Sequence, residues 1–223
     1  MMMYIIFKVK TLMMIDINIE LGPAKQFGGK QAMKVTKAQA QANRARVVET
    51  ASQLFRERGY DGVGVADLMA AAGFTHGGFY KQFGSKTDLI AESTACGIAT
   101  TVALAGGGVH PVDFVRQYLS REHRDGRATG CTMAALAGDA ARQPDSVKAA
   151  FAAGIESLIE ALGPGSESAP EIDVTEARNR IVDMLSHALG ALVLSRACPD
   201  DSALADEFLN VGRAAILRSL GIN

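Results

Sequence analysis

Residues 71–90 read AAGFTHGGFYKQFGSKTDLI, and this stretch constrains the fold more than any other part of the 223-residue chain. Two glycines and a histidine stand inside what otherwise has the spacing of a short helix, with Phe79 and Phe83 four residues apart. Just upstream, Val65, Leu68, Met69 and Ala72 mark one face of a two-turn helix. Gly73 then suits the left-handed position after a helix end. A short helix, a tight turn with glycine and a second short helix over Thr75–Phe83 predict a helix-turn-helix. Ser85 with Asp88 three residues on reads as a capping box that opens a long helix to about Leu104.

The rest of the chain carries helical periods too. Val47, Ala51, Leu54 and Phe55 place one apolar face on a helix over 37–58, and Gly59 ends it. Further helices are expected over 111–120, with Pro111 in the first turn, and over 130–141. Another starts at Pro144, with Phe151, Ile155, Leu158, Ile159 and Leu162 on one face. Asp173 with Glu176 resembles a cap before an apolar helix to Ala197, and a last helix covers 202–220. REHRDGRATG, 121–130, and GPGSESAPEI, 163–172, read as loops. No strand alternation follows residue 22, so the chain is expected to be all-α, with about nine helices. Residues 1–35 are expected to be an appended or mis-started leader, weakly ordered, with an edge strand or partner-binding arm as the competing reading. Lys8, Lys10, Asp16 and Glu20 interrupt its apolar run, so it neither spans a bilayer nor has a signal peptide's core.

The net charge of −1 hides an asymmetry. Lys30–Thr87 holds nine basic and four acidic residues, whereas Asp88 to the end holds eleven basic and eighteen acidic ones. A basic segment joined to an acidic one suggests a nucleic-acid module on a different kind of domain. Cys96, Cys131 and Cys198 are far apart and odd in number, which fits neither a disulfide framework nor a zinc site and suits a reducing cytoplasm. No phosphate loop, nucleophile elbow, metal-ligand cluster or cofactor motif is present, which argues against an enzyme. A pairing of Cys131 with His123 is the one nucleophile arrangement that folding would have to create.

A helix-turn-helix puts the N-terminal residues of its second helix against base edges. Thr75 is placed to cap that helix with its hydroxyl or to meet a phosphate, and His76 to present a ring at the entry. Gly77 and Gly78 cost a helix about 1 kcal/mol each relative to alanine, and their missing side chains let the backbone approach DNA closely. Tyr80 and Lys81 are candidates for phosphate contact, as is Lys86 in the first turn of the next helix. Arg44 and Arg46 are candidates for phosphate or minor-groove contact.

Across about residues 40–95 the sequence resembles the N-terminal domain of TetR/AcrR-type transcriptional regulators. The resemblance rests on Ala72-Gly73, Gly78-Phe79-Tyr80, Phe83, Ser85-Lys86 and Leu89 in that order. It departs at the start of the second helix, where many members have a serine or threonine and this chain has Gly64 and Val65, leaving the Gly64 backbone N–H as the contact. The resemblance implies a DNA-binding domain over 36–84 and a ligand-binding and dimerisation domain over 85–223. It implies a homodimer on a palindromic operator, repression, and release by a small-molecule effector, with no cofactor and no membrane. By the same resemblance the last two helices pair with their copies through Ile181, Leu185, Leu189, Leu192, Phe208, Val211 and Ala215. Helix faces and the family outline give Cys96, Thr100, Phe114, Tyr118, Cys131, Met133, Phe151, Ile155, Met184 and His187 as candidate pocket residues. Cys131, at a helix start with Arg124 and Arg127 nearby in sequence, leaves an electrophile or oxidant sensor open as an alternative, against the reading of a small buried residue. A helical ligand-binding protein without DNA binding is the third reading.

Overall fold

The computed structural model describes residues 36–107, 110–163 and 173–221. The expected leader, 1–35, and most of the expected loop over 163–172 lie outside the described residues. Nine α-helices and two short 3₁₀ helices make up the described chain, and no strand occurs among the described residues. In order they are α1 (Lys37–Arg58), α2 (Val65–Ala71), a 3₁₀ helix (His76–Lys81), α3 (Lys86–Ala105), α4 (Pro111–Tyr118) and α5 (Arg121–Asp125). A 3₁₀ turn (Arg127–Thr129), α6 (Thr132–Ala140), α7 (Asp145–Leu162), α8 (Val174–Ala197) and α9 (Ala203–Ser219) complete the order.

Local chemistry sets the boundaries. The Thr36 hydroxyl accepts the Gln39 N–H at 3.1 Å to start α1. Gly59, at φ 76°, and Gly73, at φ 81°, take the left-handed conformations that end α1 and turn the chain after α2. The Ser85 hydroxyl accepts the Asp88 N–H at 3.1 Å, and the Asp173 carboxylate accepts the Thr175 N–H at 2.9 Å.

Two elements differ from the sequence reading. His76–Lys81 is a 3₁₀ helix, not an α-helix, in keeping with two adjacent glycines that favour an α-helix poorly. Residues 121–130 are not a loop: the Ser120 hydroxyl caps α5 through the His123 N–H, and a 3₁₀ turn follows. Their charge disguised them, because Arg124 is only 2% exposed. Its guanidinium donates to the carbonyls of Ser195 and Cys198 and to the Asp200 carboxylate. This places a cation on the last carbonyls of α8, where the helix dipole favours it. Arg196 of α8 returns the contact, donating to the carbonyls of His123 and Arg124.

Val47, Ala51, Phe55, Tyr60, Leu68, Met69, Phe79, Phe83 and Leu89 are buried and form the core of the helix-turn-helix. Burying one such aromatic contributes about 2–3 kcal/mol, so Phe79 and Phe83, stacked with ring centres 5.4 Å apart, fasten the short second helix. α3 packs against both α1 and α7. By length and composition α3 is apolar enough to cross a bilayer, but here its apolar positions serve these two contacts. At Gly154 a Cβ would lie 2.7 Å from the Ile98 Cγ2, so α3 and α7 cross too closely for any other residue. α8 and α9 pack on each other behind this layer.

Candidate nucleic-acid interface and cavity

The 3₁₀ helix presents two kinds of side chain. Phe79 points into the core, whereas Tyr80 is 67% exposed. His76, also exposed, meets Tyr80 edge-on with ring centres 6.1 Å apart. Lys81 and Thr75 are exposed as well, but Thr75 makes no capping bond, contrary to one of its two expected roles. A Cβ at Gly77 would meet nothing within 4 Å, and one at Gly78 would make only ordinary contacts at 3.6 Å and beyond. Neither glycine has a positive φ. Folding therefore requires a glycine at neither position.

Around this helix the expected contacts divide. Arg46 is exposed, with its guanidinium 5.7 Å from the centre of the Phe74 ring, beside the turn that leads to His76. Arg44 turns the other way. It pairs with both oxygens of Glu92, donates to the Gln82 carbonyl, and lies 4.2 Å over the Phe83 ring. Its charge is thus offset by a partly exposed intramolecular pair that ties α1 to α3. Lys86 sits in the first turn of α3 and donates to the Tyr60 carbonyl at 2.7 Å. Gly64 precedes α2, with its backbone exposed but the Asp67 carboxylate 3.3 Å from where its Cβ would be. That carboxylate opposes a phosphate there.

A cavity lies among α3, α4, α6, α7, α8 and α9. Five of the ten expected pocket residues line it: Phe114, Tyr118, Cys131, Met133 and Met184. The other five do not. Phe151 is buried in the core, Ile155 and Thr100 face outward, Cys96 is half-buried outside the lining, and His187 lines a separate groove on α8 and α9. Leu185 and Leu189, expected at a dimer interface, line the cavity instead, together with Thr101 and Leu158, neither of which was among the expected pocket residues. No lining residue carries a charge. The space open to the centre of a water molecule is about 20 Å³, room for about one water.

Tyr118 stacks on Phe114 with centres 5.8 Å apart, and burial pushes its phenol well above the usual range. His123 bonds through Nδ1 to the Tyr118 carbonyl at 2.6 Å and through Nε2 to the Cys131 N–H at 3.0 Å. A backbone N–H can only donate and a carbonyl only accept, so the ring is the neutral Nδ1–H tautomer. Burial, the largest influence, lowers its pKa below the ordinary 6.5. Both ring nitrogens are engaged by the backbone, so His123 is no base for the Cys131 thiol. Of the sequence neighbours expected to act on Cys131, Arg124 is instead bound by its guanidinium at the end of α8.

On α8 and α9 a further face is apolar and uncovered. Val182, Val193, Leu194, Leu204 and Val211 are between 41% and 57% exposed. A groove of about 430 Å³ runs along it, with Phe208 in its lining. Leu192, by contrast, is fully buried inside the protomer and offers no surface to a second chain. Ile181 and Ala215 are half-buried.

Residues 47–92 match the model of the family described as bacterial regulatory proteins, tetR family. No curated protein matches the chain at a significant level. The fold is similar to that of E. coli NemR in its reduced form, at 17% identity and a TM-score of 0.62, over 79% of this chain and 96% of that one. It is also similar to a TetR-family regulator from Agrobacterium tumefaciens, at 21% identity and a TM-score of 0.60, over 80% and 98% of the two chains. A TetR-family regulator from Cytophaga hutchinsonii gives 19% identity and a TM-score of 0.60, over 82% and 96%. The segment that carries Phe55, Gly73, Tyr80 and Lys86 is thus similar to the tetR family of bacterial regulatory proteins, and the all-helical fold is similar to that of TetR-family transcriptional regulators.

Proposed function

We propose that this protein is a ligand-responsive repressor that acts in the cytoplasm, binding a palindromic operator as a homodimer and leaving it when a small molecule occupies the cavity. The observation that carries the reading is Gly77. It stands at the exposed start of the second helix of a helix-turn-helix, where folding has no use for a glycine and a close-approaching duplex does. His76, Gly78, Tyr80, Lys81 and Arg46 surround it as the contact set, with Thr75 and Lys86 at its edges. The uncovered face of α8 and α9 pairs with its copy. Two-fold symmetry then sets the recognition helices about 34–36 Å apart, one turn of duplex. The effector is small, uncharged and mainly apolar, because an ion in this cavity would find no charged partner.

Selecting duplexes from a random pool and measuring their binding by fluorescence anisotropy at two salt concentrations tests this. The expected result is saturable binding with two protomers per site, a preference over random duplex and weakening with salt through counterion release. A chain that shows no preference at either salt refutes it.

A further inference from the structure

α6 touches both the cavity and the helix-turn-helix. At its N-terminus Cys131 and Met133 line the cavity. On either side of Cys131, Ala128 and Thr132 accept hydrogen bonds from a single guanidinium, that of Arg56 in the last turn of α1. Arg56 Nε donates to the Ala128 carbonyl at 2.8 Å, and Nη1 donates to the Thr132 hydroxyl at 3.2 Å and the Ser52 hydroxyl at 2.7 Å. At the far end of α6, the Asp139 carboxylate accepts the Tyr60 N–H at 3.3 Å, just past α1. α3 leaves space for the cluster at Gly97. A Cβ there would stand 2.3 Å from the Thr132 hydroxyl and 2.7 Å from Arg56 Nη1.

Burial lowers the Arg56 pKa, and among the described residues no carboxylate pairs with it. A half-buried cation held by neutral acceptors loses stabilisation when any of them is withdrawn, because few other acceptors surround it. Two of its three acceptors belong to the segment that carries the cavity wall. The third belongs to its own helix.

We propose that Arg56 is the positioning residue through which the state of the cavity reaches the helix-turn-helix. The inference rests on the reading above, in which the cavity takes the effector and the helix-turn-helix takes the duplex. Opening the cavity moves Cys131 and Met133, and with them Ala128 and Thr132. Arg56 either follows its acceptors or loses them. Either way the end of α1 shifts, and α1 supplies Val47, Ala51 and Phe55 to the core that holds the recognition helix.

The test uses a substitution in place of the effector. Ala188→Phe on α8 adds bulk to the cavity, and Ala188→Leu is the milder version should the first not fold. Each is made in the original chain and with Arg56→Lys, which keeps the charge but not the forked geometry. Hydrogen exchange is read at Leu54–Tyr60 and His76–Lys81, alongside affinity for the duplex the original chain selects. With Arg56 present, filling the cavity is expected to speed exchange in both segments and weaken duplex binding at least tenfold. With Arg56→Lys, the exchange response disappears and filling the cavity changes affinity less than twofold. An Arg56 that only stabilises the fold would lower stability and leave the response intact, so equal responses in both backgrounds overturn the proposal. So does an original background in which 54–60 does not respond. Should no duplex be selected, the DNA-binding reading fails and the exchange comparison alone still decides on Arg56.

Discussion

Gly77→Ala separates what the fold needs from what the duplex needs. The added methyl would have no neighbour within 4 Å, and the backbone at Gly77 does not have a positive φ. In the free protein the substitution is therefore unstrained. An alanine that fits a glycine's backbone stabilises by about 0.4–1 kcal/mol, because the unfolded chain has fewer conformations to lose. For a chain of this size that raises Tm by roughly 1–4 °C. The same methyl stands on the surface beside His76 and Tyr80, where the backbone is to meet the groove. Duplex binding should weaken at least tenfold, about 1.4 kcal/mol. The salt slope should stay the same, because no charge changes. Thermal melting by circular dichroism gives the first quantity and anisotropy titration at several salt concentrations gives the others. Unchanged affinity in a chain whose Tm has risen would refute the claim that Gly77 is there to admit DNA. A fall in Tm would refute the claim that the fold leaves room.

Three further outcomes are expected. Val211→Glu places a charge on the most exposed position of the apolar face, Val174 apart, and should convert a dimer to a monomer in sedimentation velocity with secondary structure kept. The fully buried Leu192 should instead destabilise the protomer when cut to alanine. Removing the Arg124 guanidinium with Arg124→Met takes the charged donor from the carbonyls of Ser195 and Cys198, leaving Ser195 only the Cys198 N–H, and should cost about 3 kcal/mol in urea unfolding. His123 has a folded pKa below 6.5, so between the two values the unfolded chain binds more protons. Its contribution is full above the ordinary value and is lost as pH falls through the folded one. The urea midpoint should therefore drop more between pH 7 and pH 5 in the original chain than in His123→Gln.

The helix-turn-helix was legible because its signals are local. Gly73, Ser85 and the spacing of Val65, Leu68 and Met69 each act within one turn of chain. Arg44 shows a signal that was present and not used. It lies three residues before Val47, on the buried face of α1, and so points inward to Glu92, whereas Arg46, two residues on, emerges on the opposite side. α8 shows where periodicity stops being enough. It has apolar residues on two faces, one through Leu185, Leu189 and Leu192 and one through Val182, Val193 and Leu194. A rotation of about 100° exchanges adjacent positions, and only the packing of α5, α6, α7 and α9 decides which face turns inward. The cavity was harder still, because its wall is assembled from six helices and Thr101 belongs to no motif.

The narrowness of that cavity sets the energetics of the proposed release. Pockets for small molecules typically span about 300–1,000 Å³, so a space for about one water cannot hold an effector as it stands. Binding must select an opened form, and its apparent affinity is the intrinsic one scaled by the fraction open. At about one per cent open, two orders of magnitude of intrinsic affinity go into opening the cavity. That cost is also what gives the effector leverage, since a ligand with equal affinity for both forms shifts neither. Met133 and Met184 are flexible enough to let the wall yield. Cys131 cannot yield alone, because its N–H is bound to His123 and its neighbours Ala128 and Thr132 are bound to Arg56. If the closed cavity and the DNA-competent arrangement of α1 are one state, linkage makes the coupling reciprocal. A duplex should then weaken effector binding by the same factor by which the effector weakens duplex binding. An effector whose affinity is unaffected by saturating duplex would act somewhere other than this cavity, or by competition at the helix-turn-helix itself, in which case it would not bind the duplex-bound chain at all.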